Sequence, residues 1–142
     1  MHIKSEEEKQ RIREAIQRCI TPDDIFAAMI SFLKVEDFPL DSQKIHTAVY
    51  RVKEKFPELL AEFSFSANDV YPYSKLLEKI IFRLMASDLI SYIAPDMRVG
   101  IITNESKQYI KKHILPLFDQ KDQEKLAQMG RLFEEFILQE AN

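Results

Sequence analysis

The chain has 142 residues, a formal net charge of −3, two glycines, one cysteine and no tryptophan. That length, with 46% hydrophobic and 30% charged residues, supports one domain with its own core and excludes a disordered chain. One cysteine makes no internal disulfide, two glycines leave no room for a phosphate-cradling glycine loop, and a pI near 5.7 excludes a chain basic enough to coat nucleic acid.

The first ten residues are charged from Lys4 onward and hold no apolar run for a secretory signal. No apolar run approaches the roughly 20 residues of a membrane span. The C-terminal Glu140-Ala141-Asn142 carries no prenylation signal. A cytoplasmic protein without membrane association is expected.

Ser5 and Glu8 form a capping-box pattern, so a first helix starts there, with Ile12, Ile16, Cys19 and Ile20 as its stripe. Thr21-Pro22-Asp23-Asp24 ends it and opens a second. Thr21 caps, Pro22 suits the first helical position, and the aspartates favour the positive end of the helix dipole. Ile25, Phe26, Met29, Ile30 and Leu33 form its buried face. Asp37-Phe38-Pro39-Leu40 reads as a break. Asp41 or Ser42 caps a third helix, with Ile45, Val49, Val52 and Phe56 inside and Lys44, Arg51, Lys53 and Lys55 outside. Pro57 begins a turn through Leu59 and Leu60. Phe63 and Phe65 suit a short extended piece, and Ser66-Ala67-Asn68-Asp69 reads as a loop.

Pro72 opens a fourth helix, strongly buried along Leu76, Leu77, Ile80, Ile81, Leu84 and Met85. Residues 89–93 and 97–102, on either side of Ala94-Pro95-Asp96, read as one β-hairpin. Thr103 caps a fifth helix whose face joins Tyr109, Ile110, His113, Ile114 and Leu117. The last helix follows Asp119 or Asp122. Its Leu126, Met129, Phe133 and Phe136 are spaced like a coiled-coil seam, which Leu132 and Ile137 widen. The expected fold class is mostly α with one β-hairpin, in a single domain over 1–142. Helices at 1–20 and 119–142 flank a core of about 22–115.

The most informative stretch lies between residues 71 and 110. Ser87-Asp88-Leu89-Ile90 ends the fourth helix, and Ile102-Thr103-Asn104-Glu105 leads from the hairpin into the fifth. This resembles the winged helix-turn-helix superfamily. Bacterial members step from a recognition helix into the wing through a small residue, Leu and Ile, and end the wing in a threonine that caps the next helix. Asp88 and Ser106 stand where many members carry glycine. Val70-Tyr71-Pro72-Tyr73-Ser74-Lys75-Leu76-Leu77 is similar to the Gly-Pro-Tyr-Ser lead-in of a group of prokaryotic winged-helix proteins that includes Panacea-type antitoxin domains, with Tyr71 replacing the glycine. The resemblance implies a winged helix-turn-helix with extra helices at both ends, and a small DNA-binding transcriptional regulator.

In a DNA-binding winged helix the start of the fourth helix enters the major groove and the wing touches the flanking backbone. On that footing Lys75 and Lys79 meet phosphates or guanine edges, and Tyr73 and Ser74 donate hydrogen bonds near the helix start. Arg83 lies off the apolar stripe, and Arg98 is the one basic residue of the wing. Charge is mildly segregated. Residues 71–90 carry three cations against two acids, residues 41–56 four against two, and residues 119–142 three against six. Double-stranded DNA is therefore one expected partner, and a merely solvated helix face is the plain alternative.

A second reading makes the chain a protein–protein module, antitoxin-like or part of a larger complex. Phe82 falls between apolar stripes; beside Tyr71 and Tyr73 it would complete an aromatic surface patch that favours a protein partner. The last helix either packs on the chain's own first helix or pairs with a second copy, and a homodimer is expected. His2, His46 and His113 have no paired ligand spacing, and Cys19 reads as a core residue. His113 reads as a partly buried packing residue. No nucleophile–base or metal-ligand motif is present, so neither an enzyme nor a cofactor is expected.

Overall fold

Local capping chemistry sets most helix starts. The computed structural model describes residues 5–18, 20–66, 70–93, 95 and 98–139, with backbone alone at 13–18. The expected stripe positions Ile16 and Cys19, the loop at 67–69 and the turn at Ala94 and Asp96 lie outside the described detail. Among the described residues there are six helices and three strands: α1 Glu6–Arg18, α2 Pro22–Ile30, β1 Asp37–Pro39, α3 Ser42–Lys55, α4 Lys75–Ala86, β2 Ser91–Tyr92, β3 Val99–Ile101, α5 Asn104–His113 and α6 Gln120–Leu138. A 3-10 turn, Leu115–Leu117, joins α5 to α6.

Ser5 accepts the Glu8 N–H at the start of α1. Thr21 and Asp24 form a reciprocal capping box on α2. Asp41, Thr103 and Asp119 cap α3, α5 and α6 through their side chains. Each cap satisfies an amide that has no partner inside its helix.

The chain is mostly helical, and its sheet has a third strand that the sequence reading took for a break. β1 pairs antiparallel with β3, and β3 with β2, giving the order β1-β3-β2. Pro39 is tolerated because β1 is an edge strand. The Leu40 N–H donates to Arg98 O at 2.8 Å and the Ile102 N–H to Glu36 O at 2.7 Å, extending the pairing beyond the strand ends.

The core lies between α2, α3, α4 and α6, filled by Phe26, Met29, Val49, Ile80 and Phe133 among others. Leu126, Met129, Phe133 and Ile137 of α6 are buried against α2 and α3 of the same chain. These four positions of the expected stripe are therefore covered by α2 and α3. Phe26 and Phe133 meet edge to face, 6.0 Å between ring centres. Gly130 allows the close approach of α6 to α2: a Cβ there would stand 2.5 Å from Met29 O. Phe136, expected in the seam, is half-buried under the Arg51 guanidinium, 3.9 Å from its ring centre.

The face expected of α5 holds in part, with Ile114 and Leu117 packed against the core. Ile110 and Lys107 point inward, while Tyr109 and His113 are exposed and in ring contact at 4.6 Å. Lys107 is accommodated because its ammonium donates to Val35 O at 2.8 Å. His113 is therefore a surface residue and not a packing residue. Among the described residues no helix is long and apolar enough to cross a membrane.

Candidate nucleic-acid interface on α4

The residues before α4 fix where it begins. Ser66 and Tyr73 form an isolated antiparallel bridge, the Ser66 N–H donating to Tyr73 O at 2.8 Å. That pairing keeps the chain extended through Tyr73, so α4 starts at Lys75 and not at Pro72. Ser74 is the N-cap and accepts the Leu77 N–H at 3.2 Å.

His46 ties this start to α3. Its ring is fully buried. The Ser74 N–H donates to His46 Nδ1 at 3.0 Å, and Nε2 lies 2.9 Å from Glu78 Oε2. A backbone amide can only donate, so Nδ1 carries the lone pair and Nε2 carries the proton offered to Glu78. Tyr73 stacks on the imidazole with 4.6 Å between centres and 7° between planes. Tyr71 meets both rings edge-on, and its hydroxyl donates to Ser42 Oγ at 3.2 Å.

This cluster sorts the residues expected at the interface. Ser74 is fully buried and its hydroxyl caps the helix, so it does not offer the surface hydrogen bond expected of it. Tyr73 is half-buried against His46. Glu78 turns toward His46, away from the outer face. Arg83 is exposed but held by Asp23 of α2 through two hydrogen bonds, at 2.7 and 2.9 Å. That carboxylate raises the guanidinium pKa above its ordinary value.

Lys75 and Lys79 remain on the outer face, both exposed. Among the described residues no acid pairs with either. Phe82 follows one turn on, 57% exposed. At 100° per residue, Lys75, Lys79, Phe82 and Ala86 form one outward stripe, opposite the buried Leu77, Ile80, Ile81 and Leu84. Among the described residues Phe82 makes no ring contact with Tyr71 or Tyr73, so the three do not form the expected continuous patch.

The far end of α4 is equally defined. Asp88 has φ 65°, the left-handed conformation usual for glycine after a helix. The Asp88 N–H donates to Met85 O and the Leu89 N–H to Leu84 O, which is the Schellman closure. Leu89 and Ile90 then lead into β2. Tyr92 and Ile93 are exposed on the hairpin. Arg98 is exposed just before β3, and its carbonyl accepts from Leu40.

Sequence reasoning missed His46, Glu78 and Asp23 as the groups that shape this surface. One signal was available for His46: it falls beside Ile45 and one turn before Val49, on the apolar side of α3. Among the described residues no group of three or more His, Cys, Asp or Glu side chains is placed to hold a metal ion. No protein-family model, curated protein or solved structure matches the chain.

Proposed function

We propose that the chain is a winged helix-turn-helix protein that binds double-stranded DNA through the outer face of α4, with the β2–β3 hairpin as wing, and acts as a small transcriptional regulator. The observation that carries the reading is the pair Lys75 and Lys79. They are exposed one turn apart on a stripe from which the nearby acid, Glu78, has been withdrawn by His46. Two cations at the start of an uncovered helix suit phosphates and guanine edges. Two features of the connections support the winged-helix reading. Asp88 turns α4 directly into the hairpin, and Thr103 caps α5 directly after it.

Two or three phosphate contacts per chain are few, so a homodimer on two half-sites belongs to the proposal. Its interface would use a surface other than the α6 seam, which the chain itself fills. The test is titration of a fluorescent random-sequence duplex at low salt. Binding that weakens in the Lys75→Ala, Lys79→Ala double variant supports the reading. Absence of binding at low salt ends it.

A second reading, a protein–protein module of antitoxin-like or complex-assembly type, is favoured by one observation: a phenylalanine as exposed as Phe82 on a helix surface. Co-purification from the native host tests it. A chain that elutes alone counts against it.

A further inference from the structure

Phe82 lies within the outward stripe of α4, between Lys79 and Ala86. Its burial in the core is blocked by helix geometry, because the inner face is already occupied by Leu77, Ile80, Ile81 and Leu84. The charged members of that stripe are Lys75 and Lys79, so an exposed aromatic ring on it suits a partner that is apolar at one point and anionic around it. The major groove of DNA has that chemistry at one kind of base pair. The 5-methyl group of thymine is its one apolar feature, and phosphates flank it on both strands.

Resting on the DNA-binding reading, we propose that Phe82 is a specificity-determining residue that packs on a thymine methyl group in the major groove. Lys79 sets the register. The rise from Lys79 to Phe82 is about 4.5 Å along the helix, against about 3.4 Å per base pair. The thymine therefore lies one or two base pairs from the base or phosphate that Lys79 meets. Ala86, one turn further, widens the apolar contact toward the hairpin.

The experiment first selects the preferred duplex from a random-sequence pool with the full chain. The selected duplex is then compared with the same duplex carrying deoxyuridine for thymidine at each position in turn. Deoxyuridine removes the methyl group and keeps the hydrogen-bonding edge. One position is expected to lose about threefold to fivefold in affinity, the worth of one buried methyl group. Phe82→Ala is expected to bind the thymidine and deoxyuridine duplexes equally, and because the ring is exposed the variant keeps the wild-type melting temperature. DNA binding with no position sensitive to the methyl group, or with the same sensitivity in Phe82→Ala, overturns the thymine contact and leaves the DNA reading standing. Failure to bind any duplex overturns both.

Discussion

The imidazole Nδ1 of His46 and the backbone nitrogen of Ser74 lie 3.0 Å apart, so a side chain of α3 accepts the amide that opens α4. The contact is buried. It fixes the angle at which the lysine stripe leaves the body of the protein. His46→Ala strands the Ser74 N–H and empties the space under Tyr73. The expected loss of stability is about 2–4 kcal/mol, read by urea unfolding. A loss below about 1 kcal/mol would show that α4 is held by its apolar face alone.

Asp88 occupies a left-handed position without being glycine. Asp88→Gly relieves the Cβ clash and gives back part of the gain as unfolded-chain entropy. A net increase of about 0.5 kcal/mol is expected. Thermal melting checks it, and a lower melting temperature would mean that the Asp88 carboxylate has a structural role.

Gly130 presents the opposite case. Alanine is the better helix former by about 1 kcal/mol. Here its Cβ would meet the Met29 carbonyl oxygen at 2.5 Å and Phe32 Cβ at 2.8 Å. A backbone oxygen cannot rotate aside, so α2 and α6 must separate. Gly130→Ala is expected to destabilise by about 1–2 kcal/mol net, measured by the same urea titration. An unchanged midpoint would contradict the close packing of these helices.

The contrast between these positions explains what could be read from the sequence. Caps at Ser5, Thr21, Asp41, Thr103 and Asp119 act on amides three residues away, so local pattern suffices to find them. β1 has three residues and no pattern of its own; its partner, β3, lies far along the chain. The outer positions of Lys75, Lys79 and Phe82 followed from the apolar stripe opposite. The burial of Ser74 and the capture of Arg83 by Asp23 did not, because each depends on how α3 or α2 approaches α4. Tyr109 faces outward and Lys107 inward for the same reason: a carbonyl of a distant loop, Val35 O, receives the ammonium.

Asp122 supplies a pH dependence. Burial, and then the neighbouring Asp119 carboxylate, hold its pKa above the ordinary aspartate value. The folded protein therefore binds this proton more tightly than the unfolded chain does. The resulting stability is full at low pH and is lost as pH rises through the folded pKa. Asp122→Asn removes that loss. The variant is expected to melt higher than wild type at pH 7, with the difference shrinking toward pH 3. A gap of constant size across that range would locate the effect elsewhere.

The central claim is that the α4 stripe binds duplex DNA through Lys75 and Lys79. Its most direct test is the slope of log affinity against log salt for wild type, Lys75→Ala, Lys79→Ala, the double variant and Arg83→Ala. Each lysine that meets a phosphate is expected to lower the slope by about 1, and the double variant by about 2. Arg83→Ala is expected to lower it less, since Asp23 already neutralises that guanidinium. A slope that the double variant leaves unchanged, or no binding at the lowest salt, would contradict the claim.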